Sequence, residues 1–516
     1  MQTFKNPILP GFYPDPSVCR VGNDYYLVTS TFAYFPGVPI FHSTDLVNWA
    51  QIGNVLTRPS QLPLAGVRIS RGIFAPTLRY HNGMFYMITT NVSDGGNFIV
   101  TATNPAGPWS EPYYLDAPGI DPSLFFDDDG KCYYHGTHDR REGAAYYGDN
   151  EIYLQELDLI EMKLVGERYA IWHSALKNAV WPEGPHIYKK DGYYYLLISE
   201  GGTGPDHAIT VARSQKITDY FEGCKFNPIL THRHLGQKYS IVNVGHADLV
   251  ETQHGDWWMV LLASRPYGGH YRNLGRETFL VPVTWENDWP VANYGIGLVR
   301  EEEQLPNLPP SPATPATSFN FATMKIYPHN LLHIRNPIPN DYKLTPSGLN
   351  LRLNKNTITE LDTVSYYGIR QQHMNFAVET YLHFTPENEN EQAGLVIHQN
   401  HMYNYQLLVA KQGEETVVCV VKCENGEVET LAQSTQPPGG FCLKISAIGQ
   451  DLSFHVNGNT ILENANARIL STDVAGGFVG NTIGIYATSN GVDLGEKHAV
   501  FKSLEYKTTD IKEMVT

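Results

Sequence analysis

DPSVCRVGNDYYLV, residues 15–28, is the first of five stretches built to one plan. The others are APTLRYHNGMFYMI from Ala75, DPSLFFDDDGKCYY from Asp121, EGPHIYKKDGYYYLLI from Glu183 and ADLVETQHGDWWMVLL from Ala247. Ten residues after each opening an aromatic strand begins, at Tyr25, Phe85, Lys131 with Cys132 beside it, Tyr193 and Trp257. Gly22, Gly83, Gly130, Gly192 and Gly255 stand in the intervening turns, so each unit reads as a hairpin. Three units continue into a polar segment closed by an aromatic, at Trp49, Trp109 and Phe221, which the pattern assigns to blade packing. Modules of about four strands, repeated five times at roughly 45–65-residue spacing, predict a five-bladed β-propeller.

The repeat fades after Tyr294, and EEEQLPNLPPSPATPATS, residues 301–318, has the composition of an extended connector. Beyond it, FAVETYLHF, AGLVIHQN, YNYQLLVA, TVVCVVKC and LSFHVNG alternate or run apolar between Gly and Asn turns. That pattern predicts an antiparallel sandwich. The expected chain is therefore all-β, with a five-bladed propeller over residues 1–303, a Pro-rich linker over 304–318 and a β-sandwich over 319–516.

Composition limits the function classes. With 42% hydrophobic and 17% charged residues in a chain of 516, large cores are expected rather than disorder. A formal net charge of −16 gives no general affinity for nucleic acid or anionic membrane. The opening MQTFKNPILPGFYPDP has neither a basic leader nor an apolar run, which leads to the expectation of a cytoplasmic protein. Six scattered cysteines offer neither a disulfide framework nor a paired zinc site, and Cys419 and Cys423 read as strand core.

Chemistry enters through the repeat register. Innermost strands of a propeller converge on one axis, so equivalent positions become neighbours, and three of the five hold acids: Asp15, Asp121 and Glu183. One Asp before Pro is usually a turn residue. Three acids crowded at one end of an axis are costly unless their shifted proton affinities are used, which points to catalysis. Paired carboxylates facing a neutral polar substrate suit glycoside hydrolysis, in which one acid protonates the leaving oxygen and another activates water or attacks the sugar.

The motifs NPILPGFYPDPS, FAYFPGVPIFHSTDLVNW, GIDPSLFFDDDG, WPEGPHIYKKDGYYYLLISEGGT, GHADLVE and LGRETFLVPVTW resemble glycoside hydrolase family 43, in its β-xylosidase and α-L-arabinofuranosidase branch. The resemblance spans nearly the whole chain. It implies hydrolysis with inversion, Asp15 as general base, Glu183 as general acid and Asp121 as the carboxylate that orients Glu183 and tunes it. It also places Arg276 of LGRETF in the sugar site, as the cation that would hold Asp15 ionised. His246, one residue before the fifth register position, is expected to face the axis below the sugar. Phe32 and Phe74 are the expected stacking walls. Phe74 stands where many relatives carry Trp, and Ile120 where some carry Phe, which keeps arabinose beside xylose.

The expected activity is therefore removal of terminal β-1,4-xylose from xylo-oligosaccharides, together with α-L-arabinofuranosides. Alternatives are a predominant α-L-arabinofuranosidase or a non-catalytic carbohydrate-binding propeller. Invertase-type propellers are disfavoured, because Ile120 rather than Arg precedes Asp121 and Gly184 rather than Cys follows Glu183. Substrates are expected to be short xylo-oligosaccharides or arabinosylated oligosaccharides, with no nucleic-acid or membrane partner; a homo-oligomer is compatible. The mechanism requires no cofactor, and the resemblance allows a structural calcium on the axis near His246.

Overall fold

The computed structural model describes residues 2–312 and 317–509. Residues 313–316 of the expected linker and 510–516 at the end of the expected sandwich lie outside the described residues. Strands dominate. Helical structure among the described residues is confined to the turns Pro339–Asp341 and Ala467–Leu470 and the single turn Thr472–Ala475. None is long and apolar enough to cross a membrane.

Residues 17–292 form five antiparallel sheets in succession. Their innermost strands are Ser17–Val21, Thr77–His81, Ile120–Phe126, Glu183–Lys190 and Val242–Glu251. Each packs on the next, and the fifth returns to the first, closing a ring that makes the propeller. Every one pairs with the aromatic strand that follows it, as the hairpin reading requires. Trp49, Trp109 and Phe221 are buried just before the outermost strands, where the repeat put blade packing. After the fifth sheet, Glu302–Gln304 pairs antiparallel with Thr3–Lys5 and ties the chain back to its start.

A polar knot sits on the axis. Asp248 on the fifth innermost strand has a side chain with 0% exposure, and it pairs with Arg79 of the second sheet at 2.9 Å. The same carboxylate accepts hydrogen bonds from Ser17 Oγ of the first sheet at 2.8 Å and from Tyr188 OH of the fourth at 2.5 Å. Arg79 also donates to His186 Nδ1 at 2.9 Å, and that atom lies 3.1 Å from Ser123 Oγ of the third sheet. All five sheets are thereby linked. Ser17, Ser123 and Asp248 follow Asp15, Asp121 and His246 by two residues, which brings the knot next to the expected site.

The sandwich packs a six-stranded sheet on a nine-stranded one. Inner strands of the smaller sheet run apolar instead of alternating because both faces are covered there. In Gln392–Asn400, Tyr403–Gln412 and Glu415–Glu424, residues Leu395, Ile397, Leu407, Val409, Val418 and Val420 face the sandwich core. Their neighbours Val396, Leu408, Ala410, Val417 and Cys419 join a second cluster with Phe12, Phe32, Tyr34 and Leu62 of the propeller. Arg370, fully buried, donates to Phe12 O at 2.9 Å across the same boundary. The two parts share one core.

Burial of each such Val or Leu contributes about 1.5–3 kcal/mol. A chain ended at Leu305 would uncover the propeller side of the second cluster, and it should be insoluble or aggregate on size-exclusion chromatography. A monomeric, cooperatively unfolding propeller would contradict the shared core.

Candidate active site

The register positions of all five sheets meet at one end of the axis. Asp15, Ala75, Asp121, Glu183 and His246 line a single cavity of about 70 Å³, together with Phe32, Phe74, Ile120, Thr203, His207, Arg276 and Phe478. Every residue expected from the sequence is brought there. Local backbone explains how the side chains are aimed. Asp15 and Asp121 take φ of 56° and 53°, left-handed values rare for non-glycine residues, and Gly184 beside Glu183 takes 58°. The ladder slips between Ile120 and Ser123, between Glu183 and His186, and twice between Val242 and Ala247. Pro122 and Pro185 occupy two of these bulges, where no N–H is needed for pairing. The double slip in the fifth sheet also explains why His246, rather than Ala247, lines the cavity.

Asp15 and Asp121 are buried and Glu183 is partly so, and the three differ in partners. Asp15 Oδ1 receives Arg276 Nη1 at 2.8 Å, Asp15 Oδ2 receives Ser30 Oγ at 2.6 Å, and His246 Nδ1 stands 3.9 Å away. Burial alone would raise its pKa, but Arg276, His246 and Ser30 outweigh burial and hold it below the usual carboxylate value. Asp121 accepts one hydrogen bond, from the Gly184 N–H at 3.1 Å. Burial, with the charge of Asp15 added, raises its pKa despite the opposing pull of His246. Glu183 is raised well above its ordinary value by burial first, then by Asp121 and Asp15. One carboxylate is therefore kept ionised, while the other two favour sharing a proton.

Aromatic rings enclose Arg276. Its guanidinium carbon lies 5.6 Å from the centroid of Phe32 and 5.5 Å from that of Phe478. Those two rings are stacked at 6.1 Å, and Phe74 meets both edge-on at 5.8 and 5.9 Å. Arg276 Nη1 also donates to Thr203 Oγ1 at 3.2 Å.

Phe478 comes from the sandwich, on the turn between Thr472–Ala475 and the strand Thr482–Thr488. Its N–H donates to Ser70 Oγ at 2.9 Å. At its base the two parts touch backbone to backbone: a Cβ on Gly275 would come within 2.6 Å of Gly480 N. The sequence reading assigned no chemistry to the sandwich and missed Phe478, as well as Thr203 and His207. Thr203 closes the quoted motif ending SEGGT, and His207 follows four residues later, so their signal was proximity to that motif. Phe478 in AGGFVGN was marked only by a large apolar residue among turn glycines.

The charged or ionisable neighbours of His246 are Asp15, Asp121 and the imidazoles of His186 and His207, two carboxylates in all, whereas calcium takes six to eight oxygen ligands. Among the described residues no group of three His, Cys, Asp or Glu side chains is assembled for a metal. The residues present do not form a calcium cage, and no step below is routed through one.

Comparison with known proteins agrees with this architecture. Residues 4–290 match the family model described as glycosyl hydrolases family 43, and residues 318–507 match the beta xylosidase C-terminal concanavalin A-like domain. A xylosidase/arabinosidase of Butyrivibrio fibrisolvens is 52% identical, covering 94% of this chain and 96% of its own length. A non-reducing end alpha-L-arabinofuranosidase of Bacteroides ovatus is 39% identical over 95% of this chain and 92% of its own. The solved structure of a xylan beta-1,4-xylosidase from Bacillus halodurans superposes with a TM-score of 0.90 at 36% identity, covering 98% of this chain and 100% of that one. A family model that spans the acid-bearing propeller, a second that spans the sandwich and full-length relatives establish that this chain belongs to glycosyl hydrolases family 43.

Proposed function

We propose that this chain is an inverting, exo-acting glycosidase that removes terminal β-1,4-linked xylose from short xylo-oligosaccharides and also cleaves α-L-arabinofuranosides. The observation that carries the reading is the unequal treatment of three neighbouring carboxyls. Arg276 keeps Asp15 ionised, fit to take a proton, while Asp121 and burial keep a proton on Glu183, fit to give one.

In this mechanism Asp15 removes a proton from a water as the water's oxygen bonds to the anomeric carbon. The bond to the leaving oxygen breaks on the opposite face, and Glu183 supplies the proton that oxygen needs. Asp121 then faces an ionised Glu183, and their repulsion favours its reprotonation from solvent, while Asp15, beside Arg276, releases the proton it took to solvent. Inversion calls for carboxyls of Asp15 and Glu183 about 6.5–9.5 Å apart, with the water between.

The cavity supports action at chain ends. At about 70 Å³ the cavity is small beside the roughly 300–1,000 Å³ of pockets that take larger ligands, which suits a single sugar unit. Phe32, Phe74 and Phe478 supply apolar faces for that ring, and Phe478 walls one side of it from the sandwich. The names of the relatives include both xylosidase and arabinofuranosidase. With Phe74 and Ile120 as side walls, the pocket also suits a furanose, which is why both activities are assigned.

Stereochemistry gives the first test. Proton NMR of the earliest product from an aryl β-xyloside should show α-xylose; β-xylose would reject inversion. Leaving groups separate the acids, because a general acid matters only when the departing oxygen is basic. Glu183→Ala should lose several orders of magnitude on xylobiose while keeping measurable turnover of 2,4-dinitrophenyl β-xyloside. Asp15→Ala should be inactive on both, and the reverse pattern would exchange their roles.

The pH profile follows from the same directions. Activity requires protonated Glu183, so the basic limb reports its raised pKa, and activity falls as pH rises through it. Removing the neighbouring charge in Asp121→Asn lowers that pKa, so the basic limb should move to lower pH. An unmoved limb would show that Asp121 does not tune Glu183.

A further inference from the structure

Among the described residues no hydrogen bond fixes the Glu183 carboxyl, although it must keep a proton until a glycosidic oxygen arrives; its side chain is 18% exposed. One buried group faces it. His207 opens the strand Ala208–Ser214, and its side chain has 0% exposure. Its Nδ1 lies 3.1 Å from the carbonyl oxygen of Asn243, an acceptor, so Nδ1 carries the hydrogen and Nε2 presents a lone pair. Nε2 has no hydrogen-bond partner and stands 3.9 Å from Glu183 Oε1.

The imidazole has little freedom to turn away. Its ring lies against the Cα of Gly245, where an added Cβ would overlap Cε1, Nδ1 and Nε2. Burial also keeps it neutral. It lowers the pKa to about 3, and His246, from the fifth innermost strand, and Arg276, ahead of the strand Glu277–Glu286, act in the same direction against the Asn243 hydrogen bond and Asp15. Facing Glu183 are Asp121, Asp15 and Arg276. His207 is thus the neutral acceptor beside a carboxyl whose charged neighbours favour protonation.

Resting on the reading of Glu183 as general acid, we infer that His207 is a positioning residue whose Nε2 accepts the hydrogen of the protonated Glu183 carboxyl in the empty site and yields it to the glycosidic oxygen of bound substrate. The proton stays on Glu183 throughout, and the imidazole remains neutral. A carboxyl rotation of about 1 Å brings the pair within hydrogen-bond range, about 2.7–2.9 Å. An acceptor for the protonated form favours that form, so His207 helps to hold the acid ready as well as aimed.

The test compares His207→Phe, which keeps a ring and removes the acceptor, with His207→Gln, whose carbonyl oxygen restores one. On xylobiose, kcat of His207→Phe should fall at least tenfold, while on 2,4-dinitrophenyl β-xyloside it should change less than twofold. The basic limb should move to lower pH in the Phe variant and return toward that of the unsubstituted chain in the Gln variant. Equal losses on both substrates, an unmoved basic limb, or a Gln variant as impaired as Phe would overturn the inference. The unsubstituted chain offers a test free of folding defects: in ¹⁵N-histidine-labelled protein, the Nε2 resonance of His207 should shift over the pH interval of the basic limb. A resonance indifferent to that interval overturns it as well. Failure of the underlying reading looks different, because Glu183→Ala would then lose equally on both substrates.

Discussion

Asp248 is the point on which the propeller turns. Its buried carboxylate receives hydrogen bonds from the first, second and fourth sheets, and through Arg79 and His186 it reaches the third. Burial pushes its pKa up, yet the charge of Arg79 and the hydrogen bonds from Arg79 and Tyr188 overcome this and hold it ionised. Removing one partner of a buried pair of this kind typically destabilises by about 3–5 kcal/mol, because the other charge is left without compensation. The innermost strands that carry the knot also carry or directly follow Asp15, Ala75, Asp121, Glu183 and His246, so a structural constraint on the axis sets the geometry of the chemical groups.

From that geometry the proton distribution follows. Three carboxyls in one small cavity cannot all be ionised cheaply, and the cavity offers one cation in direct contact with one of them. Arg276 reaches Asp15 at 2.8 Å and lies beside the stacked rings of Phe32 and Phe478, with no comparable cation at Asp121 or Glu183 among the described residues. In the proposed mechanism the base and the acid are thus distinguished by what stands beside them rather than by residue type. The sandwich takes part through Phe478, which explains physically why a domain without acids of its own in the cavity shares a core with the propeller.

What the sequence made legible was periodic. The five openings placed three acids in register, the aromatic closures marked blade packing, and the unbroken apolar run around Cys419 reported a sheet covered on both faces. Arg276 and His246 were found because they stand within motifs. Phe478, Thr203 and His207 were missed for a different reason, since each reaches the cavity from a loop that obeys no repeat. Phe478 arrives through a crossing of Gly275 and Gly480, far apart in sequence. His207 is aimed by the bare Cα of Gly245 and the carbonyl of Asn243, contacts that exist only after the fifth sheet has slipped its ladder twice.

The central claim is that the resting site keeps Asp15 ionised and one proton on the pair formed by Glu183 and Asp121. Neutron diffraction from deuterium-exchanged crystals at neutral pH reads this directly. The account predicts no deuteron on either oxygen of Asp15 and a single deuteron on the Glu183–Asp121 pair, carried by Glu183. A deuteron on Asp15, or a Glu183–Asp121 pair with none, would contradict it.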